Sequence, residues 1–148
     1  WSLTKASYAI ASSTSPTVNI TKVVIYNGSN SSTVVQTITA DMMTNLNTLS
    51  SMLTLPNFTT LRAEVTVSAN SGVTPLVYLH HAERRNIMYD DATTGDTTSG
   101  DKVYTTYFYV GGATFKHIHF DVIDQATINN PTDSSYNSVV WNVIFKKE

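Results

Sequence analysis

The sequence predicts an all-β protein, an antiparallel β-sandwich with one short helix, and a jelly-roll-like arrangement is one form that fits. Ser, Thr and Asn number 16, 23 and 12 of the 148 residues. Thr suits pleated, half-buried surfaces, and Ser and Asn suit turns. Apolar and polar residues alternate most regularly over 61–69, and polar turn clusters recur between similar short stretches. That spacing is typical of a sandwich or barrel rather than a parallel sheet.

The individual elements follow from the same patterns. We expect residues 1–16 to be an N-terminal arm or linker, because a Ser/Thr/Pro cluster ends that segment, and residues 17–148 to form one sandwich domain. Met and Leu residues spaced by three and four, with Asp41 before them and Pro56 beyond, predict a helix over 41–53. Strands are predicted at 17–26, 34–39, 61–69, 76–82, 103–110, 115–123 and 138–145. The first two are expected to pair as a hairpin after Asn27-Gly28.

Composition argues against several partners. The net charge is −2, and six Lys and three Arg are scattered along the chain. Nucleic-acid binding needs clustered cations that neutralise phosphates, so we expect no nucleic-acid partner. No apolar run reaches the roughly 18 residues of a membrane span, so no membrane partner is expected either. The chain has no Cys, which removes disulfides as a signal of secretion.

The histidines offer a candidate metal site. His117, His119 and Asp121 are spaced by two, so a strand would project them from one face. Imidazole and carboxylate groups are ordinary ligands of transition metals, and a neighbouring strand could add His80 or His81. The competing interpretation is a polar outer face without metal, and we therefore predict no required cofactor.

Aromatic residues offer a candidate ligand site. Tyr107 and Tyr109 share one face of their predicted strand, while Tyr104 and Phe108 share the other. An exposed tyrosine pair can stack on a sugar ring while a carboxylate such as Asp121 binds hydroxyl groups. The alternative is that both rings pack inside the sandwich. Trp141 alternates with valines and is expected in the core.

Two charged segments are more ambiguous. Residues 90–101 hold four Asp and two Gly, but the spacing differs from that of a helical calcium loop, which ends in a bidentate Glu. A solvated hairpin loop is the preferred interpretation. Residues 83–85, Glu-Arg-Arg, are expected to form a solvated bend.

Function is narrowed to two classes. No nucleophile elbow, phosphate-binding Gly-rich loop or catalytic Cys is present in the sequence, so we predict a protein that is not an enzyme. The first class is a surface recognition module for a glycan or protein receptor, as in virus or phage attachment proteins and carbohydrate-binding modules. The second is a structural subunit of a capsid, decoration layer or extracellular filament. Both imply an extracellular or virion-surface location and a homo-oligomer, a trimer or larger.

Overall fold

Two antiparallel sheets make up the described part of the protein, as the alternating sequence patterns predict. The computed structural model describes residues 2–10, 17–28, 33–39, 59–81, 84–111, 115–125 and 138–146. Side chains are described for the same residues except 2–10, 115–117, 138–140 and 142–146. The strands are β1 (Ser2–Ile10), β2 (Val18–Asn27), β3 (Val34–Thr39), β4 (Thr59–Ala69), β5 (Pro75–His81), β6 (Arg84–Ile87), β7 (Val103–Val110), β8 (Phe115–Asp124) and β9 (Ser138–Lys146).

The strand order places three pairs of consecutive strands side by side. The five-stranded sheet runs β1-β9-β8-β5-β6, and the four-stranded sheet runs β3-β2-β4-β7. The expected hairpin of β2 and β3 is confirmed by their antiparallel register, in which Val23 lies opposite Ile38. Strands β6 and β7 are edge strands of different sheets within the described residues.

The core lies between the sheets and follows the period of two. Leu61, Ala63, Val65 and Val67 of β4 are buried, and so are Val77 and Leu79 of β5. Strand β2 switches parity: Val18 and Ile20 are buried before a register shift at Thr21, and Val23 and Ile25 after it. A bulge adds one residue to one strand of a pair, which restores the inward face. Trp141 is fully buried, as its alternation with valines predicts.

Two expectations about local structure were wrong. The expected arm at residues 1–16 contains strand β1, which pairs with β9 along Ser2–Ile10. Its alternation was obscured because the register shifts between Leu3 and Lys5. The expected bend at 83–85 was also wrong, because Arg84 and Arg85 begin strand β6. Both arginines are exposed on that edge strand, and charged side chains are common at sheet edges. The predicted helix over 41–53 lies outside the described residues.

A hydrogen bond between side chains connects the two sheets at one end of the sandwich. The Thr17 hydroxyl donates to the Asp124 carboxylate at 2.8 Å, joining the start of β2 to the end of β8 in the other sheet.

Within the described residues, no helix has the length and apolar character needed to cross a membrane.

Candidate functional site

The two tyrosines singled out by the sequence lie at the surface. Tyr107 is 41% exposed and Tyr109 is 57% exposed, on the outer face of β7. Phe108 between them is buried in the core, so the predicted alternation of this strand is confirmed. The alternative that both tyrosines pack inside the sandwich is wrong, because β7 turns its odd-numbered residues outward.

A groove runs beside these tyrosines, between the edge strands β6 and β7. It has a volume of about 390 Å³ and is lined by His81, Arg84, Asn86, Tyr107, Phe108 and Tyr109. Strand β6 belongs to one sheet and β7 to the other, and the segment that follows β6 is joined to β7 by the backbone hydrogen bonds between Tyr89 and Thr105. Arg84 and Asn86 supply planar hydrogen-bonding groups, and the tyrosines supply ring faces.

His81 fixes the wall of the groove. Its Nε2 lies 3.0 Å from the carbonyl oxygen of Tyr109, and its ring meets Phe108 edge to face with centroids 5.6 Å apart. His81 is buried, so this contact joins the end of β5 to β7 across the two sheets. The backbone that carries Tyr109 is thereby held in place.

A row of three side chains crosses the outer face of the four-stranded sheet. Arg62 of β4 lies opposite Tyr26 on one side and opposite Tyr107 on the other. Its guanidinium carbon lies 4.3 Å from the centroid of the Tyr26 ring. Arginine stacks well on aromatic faces. Although charged, Arg62 is only 7% exposed, because the chain after β6 covers it.

That covering segment is the Asp-rich loop, residues 90–101. Gly95 approaches Arg62 so closely that an added Cβ would lie 2.5 Å from the arginine Cδ and 3.1 Å from the Tyr107 hydroxyl. Gly95 also has φ +89°, a conformation that favours glycine. A second, polar cavity of about 320 Å³ lies here, lined by Arg62, Glu64, Gly95, Asp96, Thr97, Asp101 and Val103. The loop therefore lies against both Arg62 and the hydroxyl end of Tyr107.

Aspartates order this loop through backbone hydrogen bonds. Asp90 accepts from the amides of Gly100 at 3.0 Å and Lys102 at 2.9 Å, and Asp96 accepts from Ala92 at 2.8 Å. The predicted solvated hairpin loop is thus a more ordered structure than its composition indicates. Among the described residues, Asp90, Asp96 and Asp101 also bring carboxylate oxygens within 4.8 Å of one another. Each of these three carboxylates already accepts a backbone amide proton, from within the loop or from Lys102 and Val103 just after it.

Burial perturbs two ionisable groups near the loop. Desolvation raises the pKa of Asp90 above its ordinary value, and a hydrogen bond and charge repulsion from Asp101 raise it further, although the backbone amides oppose them. Desolvation also raises the pKa of Tyr104, helped by the nearby negative charge of Asp90. Both shifts favour the neutral form, as burial does for acids.

The histidine face lies elsewhere, on the outer side of the five-stranded sheet. His80 lies opposite His119 across β5 and β8, and the His80 Nε2 is 2.7 Å from an oxygen of Asp121. His81 points to the other side of β5, into the core. His117 belongs to β8, but its side chain is outside the described set.

This placement corrects the predicted ligand site. Asp121 does not join Tyr107 and Tyr109, because it lies on the outer face of the five-stranded sheet while they lie on the outer face of the four-stranded one. Arg84 and Asn86 take its place beside the tyrosines. The sequence signal for them was weak: alternation on a four-residue, polar edge strand resembles a loop.

Comparisons with known proteins add no relative. No protein-family model matches the chain, and no curated protein or solved structure matches it.

Proposed function

We propose that this domain is a non-catalytic recognition module that binds a surface glycan in the groove between β6 and β7. The observation that carries the proposal is the pair of exposed rings, Tyr107 and Tyr109, beside a groove that also presents Arg84 and Asn86. Tyrosine offers a rigid, amphipathic contact with a ring face and a hydroxyl. Sugars present an apolar ring face and a rim of hydroxyl groups, so this combination matches them.

The size and support of the groove fit a short saccharide segment. Its volume of about 390 Å³ is at the small end of ligand pockets, which span about 300–1,000 Å³. The His81 contact holds the backbone of Tyr109, and Gly95 of the loop lies beside the Tyr107 hydroxyl, before a ligand arrives. Such preorganisation lowers the entropic cost of binding.

One such site is expected to bind weakly, because it buries little area and both partners are ordered on binding. Several copies on one assembly would raise the avidity without new contacts. We therefore propose a homo-oligomer, a trimer or larger, displayed outside the cell or on a virion surface, where it meets glycans. A protein receptor that presents a flat, hydroxyl-rich or aromatic surface would use the same groove.

A glycan array with the assembled protein tests the proposal. We expect binding to one class of glycan, and we expect Tyr107→Ala and Tyr109→Ala to weaken it by about tenfold or more, the scale of a lost aromatic contact. Tyr89→Ala is the matched control, because Tyr89 is 37% exposed but does not line the groove. No signal from folded, multimeric protein would contradict glycan binding.

The same assay separates related outcomes. Binding that survives both groove substitutions would keep the function and discard the site. Release of reducing sugar during incubation would contradict the prediction that the protein is not an enzyme.

The structural-subunit function has one supporting observation. Val34 is 50% exposed on β3, an edge strand of the four-stranded sheet within the described residues. Exposed apolar edge strands are templates for pairing with another chain. A large particle or polymer in size-exclusion measurements, combined with an empty glycan array, would favour this second function.

A further inference from the structure

A second cluster of polar side chains lies on the outer face of the five-stranded sheet, away from the tyrosine groove. His80 and His119 are directly opposite in the antiparallel register of β5 and β8. Asp121 shares their face, because residues two apart along a strand project together. The ring centroids of the two histidines are 6.0 Å apart, and the His80 Nε2 is 2.7 Å from Asp121 Oδ2.

From this geometry we propose that His80, His119 and Asp121 bind a divalent transition metal ion of the zinc class. Zinc lies about 2.0–2.1 Å from an imidazole nitrogen, so a ring centroid lies roughly 3 Å from the ion. Two rings sharing one zinc then have centroids about 5–6 Å apart, close to the observed spacing. Two nitrogens and one carboxylate oxygen form a three-residue ligand set, which leaves a fourth position for water.

One oxygen of the Asp121 carboxylate, Oδ2, contacts His80, and the other, Oδ1, is available to coordinate a cation. Asp121 Oδ1 is buried and has no hydrogen-bond partner among the described residues. A buried carboxylate oxygen without a partner is costly, because it has lost its water. A bound cation would satisfy it, either directly or through a coordinated water.

Closing the site requires a rearrangement, because the 2.7 Å between His80 Nε2 and Asp121 Oδ2 is a hydrogen-bond distance, whereas two ligand atoms on one tetrahedral zinc lie about 3.3 Å apart. The donor atoms of His80, His119 and Asp121 do not all lie within 4.8 Å of one another in the described structure. On metal binding we expect the His119 ring to turn about its side-chain torsions toward the His80–Asp121 pair, and that pair to separate as zinc replaces the proton between them. Both imidazoles are then held across two hydrogen-bonded strands, whose separation the sheet fixes.

The ligand chemistry predicts which ion is bound. Imidazole nitrogens suit zinc, nickel and copper, whereas magnesium and calcium prefer oxygen donors only. The aspartate group of the loop at residues 90–101 is all oxygen and lies against the other sheet. The choice of metal ion therefore distinguishes the histidine cluster from the aspartate group of the loop. A contribution from His117 remains a prediction of its sequence spacing.

The test uses the full chain without an affinity tag, freed of metal by a chelator and titrated with zinc chloride in calorimetry. We expect one zinc per chain, and no comparable binding of magnesium. Zinc at about one hundred times its Kd should raise the Tm by roughly 5–10 °C. His119→Ala and His80→Ala should each weaken zinc binding by at least about tenfold.

Control variants distinguish the loss of the metal site from the loss of the fold. His119→Gln, which retains a polar side chain, should lose zinc affinity while its metal-free Tm and circular dichroism match the wild type. Asp101→Asn, in the acidic loop, should leave zinc binding unchanged. The proposal is overturned if zinc does not bind, if both histidine substitutions leave the affinity unchanged, or if Asp101→Asn removes it.

Discussion

Substitution of Gly95 by Ala tests whether the Asp-rich loop is packed onto the row of side chains behind Tyr107. At φ +89° an alanine experiences backbone strain of about 1–2 kcal/mol. Its Cβ would also lie 2.5 Å from Arg62 Cδ, so the arginine side chain must shift, which disturbs its contact with the Tyr26 ring. A partly desolvated cation–π contact contributes about 0.5–2 kcal/mol. Gly95→Ala should therefore destabilise the fold by roughly 1.5–4 kcal/mol, which lowers the Tm by about 3–16 °C for this chain length.

The chain offers matched controls for the backbone term. Gly72 and Gly100 have φ +79° and +81°, and nothing lies within 4 Å of a Cβ added to either. Alanine there should cost only the strain of about 1–2 kcal/mol. Urea unfolding of all three variants gives the difference directly. If Gly95→Ala destabilises the protein no more than the two controls do, the loop does not pack on Arg62. The conclusion that the loop supports Tyr107 would then be wrong.

Three further measurements follow from the structure. Phe120→Ala removes a fully buried ring and should cost about 3–5 kcal/mol in urea unfolding, whereas Val34→Ala at a half-exposed position should change stability by less than about 0.5 kcal/mol. Arg84→Ala should weaken glycan binding and Arg85→Ala should not, because Arg84 lines the groove while Arg85 stacks on Tyr78 with its guanidinium 3.7 Å from the ring centroid; equal losses would contradict the site. The pKa of Asp90 is raised in the folded protein, so the folded chain binds this proton more tightly than the unfolded chain does. The free energy of unfolding of the wild type should therefore fall relative to that of Asp90→Asn as the pH rises. The fall should begin near the ordinary pKa of 3.8 and end above the raised folded pKa. An absence of that slope would contradict the desolvation of Asp90.

The central strands could be predicted because they are half-buried and therefore alternate. Residues 61–69 face the core with every second side chain, and the observed β4 contains that stretch. The two edge strands of the five-stranded sheet, β1 and β6, were missed for two physical reasons, whereas the edge strands β3 and β7 were predicted. A register shift interrupts the alternation of β1, and the short β6 has little to bury, so its composition resembles that of a loop. A local pattern cannot distinguish an exposed edge strand from a bend.

The candidate site was only partly predictable for a related reason. Alternation placed Tyr107 and Tyr109 on one face, but it could not say whether that face is inside or outside. Nor could it say which residues of other strands lie beside the tyrosines. Asp121 was paired with them wrongly because sheet order is set by long-range contacts. The partnership of His80 with Asp121 likewise depends on the pairing of β5 with β8.

Amide hydrogen exchange with and without a saturating glycan selected from the array tests glycan recognition by the β6–β7 groove most directly. The amides of Arg84, Asn86 and residues 107–109 should become protected when the glycan binds, because these residues line the groove. Residues 118–123 of β8, which do not line the groove, should remain unchanged. Protection confined to residues 118–123, or absent from both regions despite saturating binding, would contradict the assignment of the groove as the glycan site.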